Sequence, residues 1–284
     1  MAINDSDLKK SGFIRQVQKE YFSLRIKVVG GNLSADKLKT VSEVAEKYGK
    51  GYVHFTSRQS VEIPFIRYED IESVKEELAK GDCQPGAIGP RVRTITACQG
   101  KLVCQSGCID PFHIAQELDQ RYIDRELPHK FKIGITGCKN NCLKAEENDL
   151  GIKGGYEVTW KQDSCVFCGL CEKACRYGAI KMEEDQILFD PTQCTNCGRC
   201  VKVCPTDAWT GEEGYLVSFG GLYGNEIHKG SQFLPLIKKE EQLYLICDRA
   251  IDFFAEHGKQ GERFKYTMDR YGKEAFKQYM EEVI

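Results

Sequence analysis

The sequence has no segment that would anchor it in a membrane or export it. No apolar run approaches the roughly 20 residues of a membrane span. The opening stretch MAINDSDLKKSGF has no apolar core and no cleavage site, so it does not resemble a signal peptide. The formal net charge of −2 does not suggest nucleic acid or an anionic membrane as a partner. We therefore expect a cytoplasmic protein.

Nucleotide-binding and histidine-based metal motifs are also missing. No G-x-G-x-x-G opens a helix after a strand, and FGGLYG at 219–224 is too irregular to count, so we expect no NAD(P)H site. The five histidines show no ligand-like spacing. Any reductant should then arrive on another protein, which would be a flavin subunit, an iron–sulfur subunit or a free ferredoxin.

Cysteine, in contrast, is abundant, with 15 residues in a chain without an export signal. In a reducing compartment, clustered thiols indicate metal ligands or redox centres. Two runs share the spacing C-x2-C-x2-C-x3-C, which is typical of ferredoxins with two [4Fe–4S] clusters, where the fourth cysteine of each run ligates the other cluster. The predicted ligand sets are Cys165, Cys168, Cys171 and Cys204 for one cluster, and Cys175, Cys194, Cys197 and Cys200 for the other.

Zinc is the alternative ligand for such cysteine pairs, but two matching runs of four favour iron–sulfur clusters. Gly169 and Gly198 would let backbone N–H groups approach the sulfurs, and Arg176 replaces the proline that usually follows the fourth cysteine. Strands are predicted on both sides, from DLGIKGGYEV and from GYLVSFGGLYG. Residues 158–213 are therefore predicted to be a ferredoxin domain inserted into another domain.

The N-terminal part predicts a small α+β unit. YFSLRIKVVGG and YVHFTSRQSVEIPFI each predict a strand, and each is followed by a helix. The first of these helices should begin after Ser34 and end at Gly49. Further along, PFHIAQELDQRYIDREL predicts a helix and KFKIGIT a strand, and the chain from about Lys238 predicts mostly charged helices.

Four further cysteines lie outside the two runs, as C-x5-C in TACQGKLVC and as C-x3-C in TGCKNNC. They are Cys98, Cys104, Cys138 and Cys142. Four thiolates could hold zinc or a third [4Fe–4S] cluster. The cluster is favoured because the chain is already predicted to carry electrons through two others.

Basic residues alternate in the segments before these cysteines, which places pairs of them on one face of a strand. The pairs are Arg25 with Lys27, Arg91 with Arg93, and Lys130 with Lys132. A fourth segment contributes one basic residue, Arg58. They could surround a common anionic site, or they could be solvated strand edges, where lysine is frequent. The pattern by itself leaves both interpretations open.

Together these segments resemble the sirohaem-dependent sulfite/nitrite reductases over nearly the whole chain. LRIKVVGG and HFTSRQ resemble the ferredoxin-like half-domain of that family, and LPHKFK resembles its basic substrate strand. TACQGKLVC and TGCKNNCLKAEENDLGIKG resemble its paired-cysteine motif for sirohaem and [4Fe–4S]. The resemblance is closest to the catalytic C subunit of anaerobic sulfite reductases and to small dissimilatory members, which also carry an inserted two-cluster ferredoxin.

The resemblance implies an α+β fold in three parts. The half-domain would span 1–81, the sirohaem and [4Fe–4S] domain 82–157 and 214–284, and the ferredoxin insert 158–213. Longer family members have two half-domains and two paired-cysteine motifs, whereas this chain has one of each. We therefore expect a homo-oligomer, at least a dimer, to complete the fold.

The resemblance also implies roles for individual residues. Cys142 would hold the third cluster together with Cys98, Cys104 and Cys138, and would bridge it to the sirohaem iron. The cations of the substrate pocket would be Lys27, Arg93, Lys130 and Lys132, and the cofactor contacts would be Arg25, Arg58, Arg91, Asn140 and Asn141. The family usually has arginine where Lys27 stands, and lysine keeps the charge but lacks the bidentate guanidinium.

The implied function is the six-electron reduction of sulfite to sulfide. Electrons would enter the ferredoxin clusters, reach the third cluster and pass to sirohaem through Cys142. Two alternatives stay open: reduction of nitrite to ammonia by the same machinery, and an electron-transfer protein without sirohaem that acts on a tetrapyrrole precursor.

Overall fold

The computed structural model describes residues 5–123, 125–184 and 186–284. Within them lie two four-stranded sheets and one two-stranded sheet. Each large sheet has its own apolar core, and a third, smaller core lies in the cysteine-rich segment. None of the described helices is long and apolar enough to cross a bilayer.

The N-terminal sheet is antiparallel, with the strand order β1-β2-β4-β3. Its strands are β1 (Phe13–Arg15), β2 (Tyr21–Ile26), β3 (His54–Phe55) and β4 (Val61–Arg67). Helix α1 (Asp5–Lys10) precedes the sheet, and α2 (Ala35–Tyr48) and α3 (Ile71–Lys80) pack on its apolar face. Strand β2 alternates buried and half-buried residues, as expected of a strand with one face on a core.

Two predictions for this unit are confirmed and one is wrong. The hydroxyl of Ser34 caps α2 by accepting from the N–H of Lys37 at 3.3 Å, and Gly49 ends the helix. Residues 52–66, predicted as one strand, form the hairpin of β3 and β4, whose turn is closed by the N–H of Thr56 donating to the carbonyl of Ser60. Gln59 supplies the left-handed residue of this turn at φ 59°, and glutamine gives no sequence signal for such a conformation.

The second sheet has the strand order β10-β7-β6-β5. β5 (Thr96–Ala97), β6 (Ile133–Thr136) and β7 (Leu150–Trp160) are parallel, and β10 (Trp209–Phe219) is antiparallel to β7. The predicted strand at 130–136 begins only at Ile133, because the KFK segment pairs through a single bridge, from Phe131 to Val92. Since β5 and β6 are parallel neighbours, their carboxyl ends lie at the same edge of the sheet.

Four helices share the core of this sheet. They are α4 (Pro111–Tyr122), α7 (Glu240–His257), α8 (Phe264–Tyr271) and α9 (Lys273–Glu281). Helix α4 begins at Asp110, whose carboxylate accepts from two backbone N–H groups of the first turn. The helices predicted beyond Lys238 are confirmed, but they also carry a fully buried aromatic face, made of Phe253, Phe254, Phe264 and Phe276.

The cysteine-rich segment is connected to the second sheet by one pair of antiparallel strands, β7 and β10. β7 and β10 pair over their whole length, from Leu150 opposite Phe219 to Trp160 opposite Trp209. The segment contains α5 (Leu170–Ala174), β8 (Ile180–Glu183), β9 (Gln186–Phe189) and α6 (Arg199–Val203). The strands predicted on both sides are confirmed, and the domain limits at 158 and 213 remain predictions.

Candidate functional site

Four cysteines meet where β5 and β6 end. They are Cys98, Cys104, Cys138 and Cys142. They come together because Cys98 follows β5 and Cys138 follows β6, in strands where Ala97 lies opposite Ile135. The N–H of Gly137 donates to Sγ of Cys98 at 3.0 Å. Burial raises the pKa of Cys138, and the other three thiols raise it further, so each of them lies within electrostatic reach of Cys138.

Close packing of the two cysteine loops depends on glycine. A Cβ on Gly137 would lie 2.7 Å from Cα of Gly100, which is closer than such atoms can approach. Cys104 and Cys142 are exposed, and all 15 cysteines are free thiols. Within residues 5–123, 125–184 and 186–284, no group of three or more His, Cys, Asp or Glu side chains is arranged to hold a single metal ion.

The turn that presents Cys142 is held by Asn141. Asn141 has φ 53°, and its side-chain oxygen accepts from the N–H of Ala145 at 2.8 Å. Asn140 instead accepts a hydrogen bond from Arg199, at 3.5 Å, across to the cysteine-rich segment. Both asparagines therefore have partners within the protein, and their predicted contact with a cofactor remains a prediction.

A cavity of about 390 Å³ opens beside Cys142. Its lining includes Arg58, Thr96, Lys132, Cys142, Asn148 and Tyr223. Arg58, in the turn of the N-terminal hairpin, donates to Oδ1 of Asn148 at 2.9 Å and to the carbonyl of Thr94 at 3.0 Å. The N-terminal unit thus contributes a cation to a cavity formed mainly by the second sheet and its loops.

Five half-buried cations interact electrostatically with one another, and two of them line this cavity; we call the five the cation cluster. Its members are Arg58, Arg93, Lys130, Lys132 and Arg263. Burial lowers the pKa of Lys132 to about 8, with Arg58 and Arg263 lowering it further. Burial also lowers the pKa of Arg58 and that of Arg93 to about 10 each. These groups are held close together in a poorly hydrated place, which favours the binding of an anion.

One carboxylate, Asp149, lies within the cation cluster. It is fully buried and accepts from Nη2 of Arg263 at 2.9 and 3.0 Å and from the N–H of Lys132 at 2.9 Å. Burial raises the pKa of Asp149, and Arg263 and the Lys132 N–H oppose that rise. Neither Asp149 nor Arg263 was predicted as a site residue, because they lie 114 positions apart and no local motif connects them.

Three predicted cations have partners elsewhere. The pairs are Lys27 with Asp119 at 2.5 Å, Arg91 with Glu126 at 3.7 Å and Arg25 with Glu62 at 2.8 Å. Lys27 lines a separate cavity of about 530 Å³, which it shares with Arg93. Of the seven predicted cations, all of which lie among the described residues, Arg58 and Lys132 line the cavity beside Cys142, and Arg25, Lys27, Arg91, Arg93 and Lys130 do not.

The cysteine-rich segment gathers its own thiols in groups. Cys175, Cys194, Cys197 and Cys200 line one small cavity. Burial raises the pKa of Cys171 and the nearby Cys165 adds to this rise, while Cys204 accepts from the N–H of Trp209 at 3.4 Å. Gly169 and Gly198 take the left-handed conformation, at φ 72° and 67°, before the short helices that carry the third cysteine of each run.

Two family descriptions match this chain. "Nitrite/Sulfite reductase ferredoxin-like half domain" matches residues 14–81, and "Nitrite and sulphite reductase 4Fe-4S domain" matches residues 88–284. The chain therefore belongs to the nitrite and sulphite reductase family, a family of oxidoreductases, and has its α+β fold, as the resemblance predicted.

Three similar proteins illustrate the relationship. Coenzyme F420-dependent sulfite reductase of Methanocaldococcus jannaschii is 32% identical over 258 residues, which are 90% of this chain and 41% of that protein. The C subunit of the anaerobic sulfite reductase of Salmonella typhimurium is 36% identical over 203 residues, covering 66% of this chain and 60% of that protein. The crystal structure of dissimilatory sulfite reductase I shares the fold, with a TM-score of 0.76 at 20% identity over 92% of this chain and 69% of that chain. This chain thus spans less than two thirds of the length of both curated relatives.

Proposed function

We propose that this chain is a sirohaem-dependent sulfite reductase that converts sulfite to sulfide. The observation that carries the proposal is the cavity that exposed Cys142 shares with Arg58 and Lys132. A thiolate there can ligate iron, and the cations can hold an anionic macrocycle and an anionic substrate where electrostatic interactions are strong. Membership of the nitrite and sulphite reductase family, and the names of the two curated relatives, support the same reaction.

The residues around the cavity suit sirohaem, whose ring carries many carboxylates. The cavity is lined by three basic side chains, Arg58, Lys132 and Lys144, and by one carboxylate, Glu147, which pairs with Lys144 at 3.8 Å, so positive charge remains for a ligand. Nε of Arg263 is buried and, among the residues that the structure describes, has no hydrogen-bond partner, as expected of a donor reserved for a ligand. We propose that Arg58 and Arg263 hold sirohaem carboxylates. Bound sirohaem would supply the iron at which sulfite is reduced.

Lys130 and Lys132 are the proposed proton donors. Arg93 is proposed to bind the sulfite oxygens by resemblance, since it lines the same separate cavity as Lys27 and donates to the carbonyls of Ala87 and Gly89. Reduction of sulfite to hydrogen sulfide consumes six electrons and eight protons and releases three waters, so protonated groups are needed beside the substrate. A pKa of about 8 keeps Lys132 charged at neutral pH while making its proton easier to transfer than that of an ordinary lysine. Lys27 belongs to this set by resemblance alone.

Twelve cysteines are proposed to hold three [4Fe–4S] clusters. Cys98, Cys104, Cys138 and Cys142 would bind the one that is coupled to sirohaem, and the other eight would bind two in a ferredoxin domain inserted at 158–213. The buried Trp209 side chain is directed at Cys171, where its hydrogen bond opposes the rise that burial causes in the pKa of that thiol, which suits a donor to a cluster sulfur. The half-domain at 1–81 and the sirohaem domain at 82–157 and 214–284 complete the proposed organisation.

A comparison of substrates tests the reaction. Anaerobically purified protein is supplied with a reduced viologen and with sulfite or nitrite, and sulfide and ammonia are measured. We expect faster turnover of sulfite, because deprotonated sulfite carries two negative charges, against one on nitrite, and gains more from the cation cluster. Faster nitrite turnover without sulfide formation would instead assign nitrite reduction, the other reaction in the family description.

An absorption spectrum tests the cofactor. We expect a chlorin-type band in addition to the broad iron–sulfur absorption. Its absence from protein with full iron content would favour the alternative of an electron-transfer protein that acts on a tetrapyrrole precursor. The donor is proposed to be a ferredoxin or a flavin or iron–sulfur subunit.

The oligomeric state is proposed to be a homodimer or larger, because each family description matches this chain once. Light scattering on active protein tests this proposal. A fully active monomer would contradict it.

A further inference from the structure

The two cysteine runs are repeats whose equivalent positions have diverged. Counted from the first cysteine of each run, Phe167 corresponds to Asn196, Leu170 to Arg199, and Lys173 to Lys202. The second run thus has three polar side chains at spacings of three residues, where the first run has two apolar residues and one lysine. This difference has a structural counterpart in what each run contacts.

The second run is joined to the second sheet by its polar side chains. Nδ2 of Asn196 donates to the carbonyl of Tyr156 at 2.9 Å, and the N–H of Tyr156 donates back to the carbonyl of Asn196 at 2.8 Å. Arg199 donates to Asn140, in the turn between Cys138 and Cys142, at 3.5 Å. Two separate contacts therefore tie this run to the domain that presents the four sheet-edge cysteines.

Lys202 makes the third contact, with the loop that follows Cys104. Its Nζ donates to the carbonyl of Gln105 at 2.9 Å and to that of Gly107 at 2.8 Å. The same loop is fastened on its other side, where the N–H of Cys108 donates to the carbonyl of Gly137 at 2.6 Å. Lys202 thus links α6 to the loop that follows Cys104, a predicted cluster ligand.

Near Lys202, a thiol of the second run interacts electrostatically with residues beside the sheet-edge cysteines. Burial raises the pKa of Cys108 to about 12, and the charges of Lys202, Cys138 and Cys197 also act on it. Lys139 likewise interacts electrostatically with Cys197. Cys197, of the second run, therefore lies within electrostatic reach of Cys108 and Lys139.

The first run has a different environment. Cys168 is exposed, and Val166 and Leu170 are 61% and 43% exposed. Lys173 and its counterpart Lys202 are both exposed, so the two lysines differ in the carbonyls of Gln105 and Gly107 that Lys202 contacts. The repeat thus has one run against the sheet-edge cysteines and one run towards solvent.

We propose that the second run forms the exit of the ferredoxin insert, and that Lys202 is the positioning residue that holds this exit against the Cys104–Cys108 loop. The inference rests on the proposed function. The cluster bound by Cys175, Cys194, Cys197 and Cys200 would pass one electron at a time to the cluster at the sheet edge, the first being oxidised as the second is reduced. The cluster of the first run would receive electrons from the donor protein.

The test compares equivalent lysines of the two runs. Lys202→Met and Lys173→Met are purified anaerobically, iron and acid-labile sulfide are quantified, and each protein is reduced and mixed with excess sulfite. Freeze-quench EPR follows the loss of the reduced-cluster signals. We expect Lys202→Met to slow this reoxidation by up to about 30-fold, the factor that the loss of two hydrogen bonds implies for the docked arrangement. Lys173→Met should match wild type, and Lys202→Arg, which keeps the donors, should restore the rate.

Equal rates for Lys202→Met and Lys173→Met, with full iron in both, would overturn the assignment. If Lys202→Met loses iron, Arg199→Leu takes its place, since it introduces the residue of the first run at the equivalent position. A wild-type rate in Arg199→Leu would then also overturn the assignment. Failure of wild-type protein to be reoxidised by either sulfite or nitrite would instead contradict the proposed function.

Discussion

Arg263 donates two hydrogen bonds from one nitrogen to the carboxylate of Asp149, at 2.9 and 3.0 Å, across 114 positions of the chain. Asp149 is fully buried and also accepts from the N–H of Lys132. The Asp149 carboxylate thus connects three segments: its own position just before β7, Lys132 just before β6, and Arg263 at the N-terminus of α8. It fixes the segment that carries Lys132, and it balances part of the charge of the cation cluster.

Asp149→Asn should destabilise the protein strongly. The variant keeps the size of the side chain but leaves the guanidinium of Arg263 buried without its counter-charge. We expect the free energy of unfolding to fall by about 3–5 kcal/mol, the usual loss when one partner of a buried pair is removed. Urea unfolding followed by circular dichroism, on protein with its iron content checked, measures the change.

Asp269→Asn is the matched control for this prediction. Asp269 lies on α8 and pairs with Lys265 at 2.6 Å, in a partly exposed i, i+4 arrangement. Its loss should cost no more than about 1 kcal/mol. Similar losses for the two variants would mean that the Asp149–Arg263 pair has no special role in stability.

Lys132→Met should impair sulfite reduction much more than Lys27→Met. Lys132 lines the cavity beside Cys142, whereas Lys27 is paired with Asp119 in a different cavity. We expect kcat/KM for sulfite to fall about 100-fold or more for Lys132→Met, as for the loss of a proton donor or anion-stabilising group. Lys27→Met should lower it less than about tenfold. Equal losses, with sirohaem content unchanged, would favour the role that the resemblance gives to Lys27.

The pH dependence of sulfite reduction should report Lys132. Burial and neighbouring cations lower its pKa to about 8, so the ammonium loses its proton as pH rises through about 8. Lys132→Arg keeps its charge at higher pH. Because the substrate titrates identically for both proteins, the ratio of wild-type to Lys132→Arg kcat/KM should be constant near neutrality and fall above about pH 8. A ratio that stays flat well above that pH would exclude Lys132 as the titrating group.

Gly198→Ala should be more damaging than Gly169→Ala at the equivalent position of the first run. Both glycines have positive φ, so alanine costs about 1–2 kcal/mol of backbone strain at either position. At Gly198 the new Cβ would also lie 2.0 Å from Cδ2 of Tyr156, whereas at Gly169 its nearest neighbour is Cε of Met182 at 3.3 Å. Iron analysis should show the loss of roughly one cluster from Gly198→Ala and full iron in Gly169→Ala. Equal iron contents would contradict the tight packing at Tyr156.

The features predicted from the sequence depend on residues that are near one another in the chain. The Ser34 cap, the strands on either side of the cysteine-rich segment and the left-handed glycines of the two runs are of this kind. Each depends on local backbone geometry, which spacing and residue type can indicate. The hairpin turn at Arg58 was missed because Gln59 adopts a left-handed conformation that glutamine rarely takes.

The partners of the charged residues could not be predicted in the same way. Alternation left open whether the basic residues surround a common site or lie at solvated strand edges, and it could not choose among the carboxylates available to each. Asp119 reaches Lys27 from a helix more than 80 positions away in sequence, and Arg263 approaches from the C-terminal helices. Such pairings follow from tertiary packing and cannot be inferred from short-range periodicity in the sequence.

The most direct test of the central claim, that Cys142 joins a [4Fe–4S] cluster to sirohaem, is a combined analysis of iron, acid-labile sulfide and extractable pigment in anaerobically purified protein. The account predicts about 13 irons per chain, 12 in three clusters and one in an extractable sirohaem. It further predicts that Cys142→Ser loses sirohaem together with about four of the cluster irons. Zinc or a disulfide at Cys98, Cys104, Cys138 and Cys142, with no tetrapyrrole in the extract, would contradict it.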